Sequence, residues 1–291
     1  SITSESSFGA KLEVVEVATG ARQILVDEPG GTHQNFLHAA LFDRAARSVY
    51  FVLRDDTIRV ELGTGTRTRL ATGDGFNPFV VQPSFDRERR RLAICAEHAI
   101  RVLDEAGATV LEVPIRSQMR ECRGSKLSPS GRLLALYIAS RGVIYNHDDA
   151  KSDTTNEVQI WDIEAGVLWE TVVMSEKVHK IGLTPDDDAL VVTYDYARGP
   201  VVLEIPSGRE IRRLNDSARE GELAWTYDWA YSPDGTRLAI AGDQMQLLDA
   251  KTLAPALDLT RVFGRAACVT FSRDGRRLSA ARAGTAVVYA V

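Results

Sequence analysis

The eight residues Tyr231-Ser-Pro-Asp-Gly-Thr-Arg-Leu238 constrain this chain more than any other stretch, because they recur. An apolar residue leads into a polar turn centred on Pro-Asp-Gly, and another apolar residue follows seven positions after the first. Asp-Gly between apolar runs marks a hairpin, since Gly adopts the positive φ that a tight turn requires. Close copies are Phe271-Ser-Arg-Asp-Gly-Arg-Arg-Leu278 and Leu127-Ser-Pro-Ser-Gly-Arg-Leu-Leu134, with weaker ones at 183–190, 85–92 and 42–49. The chain is built of repeats.

The leading residues Phe42, Phe85, Leu127, Leu183, Tyr231 and Phe271 stand 43, 42, 56, 48 and 40 positions apart. A period of about 40–45 residues is that of a four-stranded propeller blade. Further short apolar strands follow each hairpin, at 57–60, 99–103, 200–203, 244–248 and 285–289, and most are closed by a turn of small residues. The pattern predicts an all-β fold, a β-propeller of four-stranded antiparallel blades forming a single domain over 1–291. Full blades are expected at about 36–70, 78–113, 120–173, 177–214 and 223–259. A partial blade at 1–26 lacks its inner strand, and a last blade at 265–291 lacks its outer strand. Seven blades are favoured over six, with ring closure incomplete or atypical and unpaired edges inviting a partner. Inner strands such as 266–271 are expected to be buried on both faces.

Of the 291 residues 44% are hydrophobic, enough for a sizeable core. A net charge of −5 argues against a general nucleic-acid or anionic-membrane surface. Cys95, Cys122 and Cys268 lie in no metal-binding spacing and are expected to be reduced, mostly buried thiols of a cytoplasmic protein. The first residues lack the basic and apolar segments of a signal peptide, and no apolar run nears the ~18 residues of a membrane span.

Val158-Gln-Ile-Trp-Asp162, followed by Ile163-Glu-Ala-Gly166 and preceded by the hairpin at 127–131, resembles the tryptophan–aspartate (WD) repeat family. The corresponding pairs elsewhere are Leu103-Asp104, Leu248-Asp249 and Val60-Glu61. The family's Gly-His pair is missing before the inner strands, although His179 sits near its histidine position. The resemblance implies a rigid platform for protein–protein contact with no chemistry of its own. Related bacterial propellers often follow a signalling or effector domain, so the partner is expected to be another protein or an adjacent domain.

Loops on a rigid scaffold carry binding, and in such a fold the loops leading into the inner strands share one face. Candidate partner-binding residues there, or on the insertion at 142–156, are His38, Asn77, Phe79, Arg120, Arg123, Tyr145, His147, His179, Tyr196, Arg198, Trp225 and Tyr227. Trp225, Tyr227, Trp229 and Tyr231 alternate, so they share one face of an inner strand and fill the space between blades. The Asp186-Asp-Asp188 run and the basic run at 87–91 occupy hairpin turns and read as solvated. No Gly-x-Ser-x-Gly elbow or phosphate-binding glycine loop is present, and no metal or cofactor is expected. The runner-up reading is a propeller enzyme of the lactonase or cyclase type, with a metal or His/Arg site over a central channel. A third is a periplasmic propeller similar to the Tol translocation component.

Overall fold

The computed structural model describes residues 2–5, 10–16, 18–28, 37–43, 45–53, 56–71, 83–86, 88, 90–96, 99–115, 120–140, 156–174, 176–194, 200–205, 207–213, 226–259, 266–282 and 285–291, with backbone alone at 2–5, 10, 28, 37–39, 120–121, 140, 282 and 285. The chain divides into two compact units, Ser1–Val173 and Met174–Val291. Among the described residues no helix is long and apolar enough to cross a membrane.

Unit 1 begins with a three-stranded sheet, β1 (Ile2–Glu5), β2 (Ala10–Val15) and β3 (Arg22–Glu28). Three four-stranded sheets follow: β4 (Leu37–Phe42) to β7 (Arg67–Ala71) through β5 (Ser48–Leu53) and β6 (Asp56–Glu61); β8 (Ser84–Phe85) to β11 (Thr109–Pro114) through β9 (Leu92–Ala96) and β10 (Ala99–Leu103); and β12 (Arg120–Leu127) to β15 (Val167–Met174) through β13 (Leu133–Ser140) and β14 (Asn156–Asp162). Unit 2 holds two more, β16 (Val178–Leu183) to β19 (Glu210–Arg213) through β17 (Ala189–Tyr194) and β18 (Val201–Glu204), and β20 (Thr226–Tyr231) to β23 (Pro255–Asp258) through β21 (Arg237–Gly242) and β22 (Gln246–Asp249). It ends with three strands, β24 (Cys268–Phe271), β25 (Arg277–Arg282) and β26 (Thr285–Ala290).

Every sheet is an antiparallel run of strands consecutive in sequence. The count of seven blades favoured from the sequence is therefore corrected, whereas ring closure is incomplete as expected. Among the described residues five sheets are four-stranded, the two end sheets have three strands, and no strand is exchanged between sheets to close a ring through ladder hydrogen bonds.

Hairpin chemistry repeats as the sequence implies. Ser232 N donates to Arg237 O and Arg237 N to Ser232 Oγ, both at 2.9 Å, while Gly235 takes a φ of 74°. Ser128, Ser272 and Thr184 play the same double role, accepting through their hydroxyls from Leu133 N, Arg277 N and Ala189 N. In the weaker copies a carboxylate substitutes: Asp43 Oδ1 accepts from Arg47 N and Asp86 Oδ1 from Arg90 N, each at 2.7 Å. At 184–189 the turn's left-handed residue is Asp187, at φ 60°, so the Asp186-Asp-Asp188 run is indeed a turn. Short polar side chains tolerate that conformation.

Burial corrects a second expectation. The most buried strands are the second ones: β17 is buried from Ala189 to Thr193, and β13 from Leu133 to Ala139. A second strand has neighbours on both sides within its sheet and sheets over its faces, whereas an inner strand lies at a sheet edge. Accordingly β24 alternates, with Val269 buried and Cys268 and Thr270 exposed. The cysteines follow suit: Cys122 is buried, Cys95 half-buried and Cys268 exposed.

Each unit has its own core between sheets. In unit 1, Leu12, Val26, Val49, Phe51 and Val60 join the first two sheets, and Ile100, Val102, Cys122, Leu134 and Leu136 join the third and fourth. In unit 2, Val191, Val202, Trp229, Leu238 and Leu248 fill one interval, and Leu247, Val269, Leu278 and Ala280 the next. Polar links cross the intervals too: Arg67 donates to Leu25 O and Arg91 to Gly131 O, both at 2.5 Å.

Candidate functional site

Four inner strands share a defect near their N-terminal ends. In β12 the ladder passes from Cys122↔Ile138 to Gly124↔Tyr137, with Arg123 as the extra residue of the strand. In β16 it skips His179, in β20 Tyr227, and in β4 Ala39. These are β-bulges, which bend a strand, re-aim a side chain and recur beside functional surfaces. Arg123, His179 and Tyr227 each lie four residues before the leading residue of their hairpin, so the defect is part of the repeat. Arg123 and Tyr227 are half-buried and His179 is exposed.

In unit 2 the residue after each bulge is charged, and the charges meet. Lys180 Nζ pairs with the Asp228 carboxylate, donates to Trp229 O at 2.8 Å, and lies 4.8 Å from the centroid of the Trp229 ring. Asp228 Oδ2 accepts from Val269 N at 2.9 Å. One carboxylate thus ties β16, β20 and β24 together directly below His179 and Tyr227 in the chain. Trp229 is 6% exposed and lies over Gly182, where an added Cβ would come 2.2 Å from its ring. Its ring also meets Tyr231 edge-on at 6.0 Å. Burial pushes the Tyr231 phenol well above its usual range, with the Asp188 charge adding to the effect.

The bulge at Tyr227 corrects the expected aromatic alternation. Trp229 and Tyr231 remain in step and fill the space against β17 and β18, but the extra residue breaks the period-two relation between Tyr227 and Trp229. Cys268, on the neighbouring inner strand, has its thiol pushed up by desolvation and by the Asp228 charge.

Of the twelve candidates from the sequence, Arg123, His179 and Tyr227 occupy equivalent bulges. His38 lies on β4 and Arg120 opens β12. Asn77, Phe79, Tyr145, His147, Tyr196, Arg198 and Trp225 lie outside the described residues. Sequence reasoning missed Lys180 and Asp228, whose only signal was a shared offset of three residues from their hairpins. Among the described residues no group of three or more His, Cys, Asp or Glu is placed to hold a metal ion.

The aspartates at the WD position have a local role. Asp162 Oδ1 accepts from Glu164 N and Ala165 N, Asp104 Oδ1 from Ala106 N and Ala108 N, and Asp249 Oδ1 from Lys251 N and Thr252 N. They cap the turn between third and fourth strands, and these bonds hold Asp162 and Asp249 below the usual carboxylate range.

No known family profile matches the chain, and no curated protein sequence matches it. Solved structures do. A chain of the Kuenenia stuttgartiensis hydrazine synthase superposes with a TM-score of 0.65 at 15% identity, over 98% of this chain and 90% of that one. A chain in the crystal structure of a mitotic checkpoint complex gives 0.66 at 14% identity, over 100% and 86%. At such identities the likeness concerns the fold alone, and with the repeated antiparallel blades it makes this protein a β-propeller.

Proposed function

We propose that this propeller is a non-catalytic platform of the WD-repeat-like kind that binds another protein through the N-terminal ends of its inner strands. The observation that carries the reading is the bulge repeated at Arg123, His179 and Tyr227. A bulge on an otherwise regular ladder lifts a chosen side chain out of the pairing while the sheet beneath stays fixed. An Arg, a His and a Tyr at such positions suit protein recognition, since Tyr and Arg dominate interface energetics. Little conformational entropy is lost when the supporting strands are already ordered. In unit 2 the Lys180–Asp228–Val269 link supplies that order beneath two of the three residues.

The test is affinity capture from the source cell with the wild type, with Arg123→Ala, His179→Ala and Tyr227→Ala, and with a chain lacking 142–156. Arg276→Ala, in an exposed hairpin turn, is the control. The reading predicts a partner retained by the control and reduced at least tenfold by Tyr227→Ala or Arg123→Ala. Equal recovery by all variants overturns the assignment of the surface.

A further inference from the structure

Two aromatic side chains in unit 2 each bury a polar atom that has no hydrogen-bond partner among the described residues: the indole Nε1 of Trp229 and the phenol oxygen of Tyr231. Trp229 pairs with Ile240 and Tyr231 with Leu238, so both side chains leave the same face of β20. They enter the apolar core that β20 and β21 share with β17 and β18, among Val191, Val202, Leu238 and Leu248. An indole N–H only donates, whereas a phenol hydroxyl both donates and accepts. Burying either one without a partner carries the full desolvation penalty of the group. Native interiors hold few such atoms, and ordered water commonly serves those that protein groups do not reach.

The polar groups that a water molecule needs stand around this core. Lys180 Nζ lies 4.8 Å from the centroid of the Trp229 ring, and two of its three N–H groups go to Asp228 and Trp229 O. On the Tyr231 side the charges of Asp188 and Arg212 both act on the phenol. Asp188 Oδ1 accepts from Thr184 Oγ1 at 2.7 Å, and a carboxylate has room for further donors. The remaining walls are apolar and offer nothing to a larger polar ligand.

We propose that the interval between the β16–β19 and β20–β23 sheets is a binding site for internal water, bonded to Trp229 Nε1 and to the Tyr231 hydroxyl. At Trp229 the water accepts from the indole N–H. At Tyr231 it accepts the phenol proton and turns one of its own towards the Asp188 carboxylate. A bridge of this kind is nearly as good a bond as a direct one, so the water acts as a structural ligand of the seam between the two sheets.

Urea unfolding of the full chain tells a hydrated hydroxyl from a dry one through Tyr231→Phe, which removes the oxygen and keeps the ring that fills the space. A dry, partnerless hydroxyl opposes folding, so deleting it raises the midpoint, whereas deleting one that is bonded to water lowers it. The proposal predicts a lower midpoint. For Trp229 the readout is rotating-frame cross-relaxation between water and the indole Hε1 in nitrogen-labelled protein, whose sign separates it from proton exchange. The cross-peak should appear in the wild type and persist in Tyr231→Phe, where no hydroxyl proton can relay it. An unchanged or higher midpoint for Tyr231→Phe overturns the proposal. So does a Trp229 Hε1 without a water cross-peak in either protein.

Discussion

At the scale of single residues the turn-capping side chains are the most determined. Asp234 accepts from Ser232 Oγ, Thr236 N and Thr236 Oγ1, which brings its carboxyl from an ordinary 3.8 down to about 2. Asp274 is lowered in the equivalent turn, chiefly by Ser272 Oγ and then Arg276 N. A depressed folded-state value means the unfolded chain binds the proton first. The stabilisation is therefore complete above the ordinary carboxylate range and is lost as pH falls from about 4 towards 2. Urea midpoints measured down that range should fall less steeply for Asp234→Asn than for the wild type; parallel profiles would contradict the assignment. Gly182 is determined by space instead, because a Cβ there would strike Trp229. Overpacking of this kind typically costs ~1–3 kcal/mol, so Gly182→Ala should lower the thermal midpoint by several degrees.

At the scale of elements, hydrogen-bonded side chains lock one inner strand to the next. Asp228 serves Lys180 on β16 and Val269 on β24, and charge-assisted hydrogen bonds contribute roughly 1.5–3 kcal/mol each when half-buried partners depend on them. Asp228→Ala should destabilise unit 2 by about 2–3 kcal/mol in urea unfolding. Asp228→Asn, which still accepts from Val269 N, should cost less. Equal losses from both would mean the lysine pairing contributes little.

The hairpins were legible because turn chemistry is local: a Ser, Thr or Asp, then a left-handed residue three positions on, suffices even at Asp43 and Thr184. The bulges were not, since a bulge is a mismatch of count between two strands and neither strand shows it alone. The Lys180–Asp228 pair was hidden for a related reason, its partners standing 48 residues apart. The expectation that inner strands are buried on both faces failed at β24 because apolar content says little about which strand sits at a sheet edge.

For the whole molecule, the repeat period and the turn chemistry specify the propeller, while neither names a partner. A propeller's fold is shared by proteins of unrelated function, so the functional reading rests on the site. Its central claim is that recognition belongs to the bulged ends of the inner strands and not to the hairpin turns at their other ends. Hydrogen exchange of the chain with and without a captured partner measures this most directly. The account predicts slowed exchange at 178–180 and 226–228, with the turns at 184–188 and 232–236 unchanged. A footprint confined to those turns would contradict it.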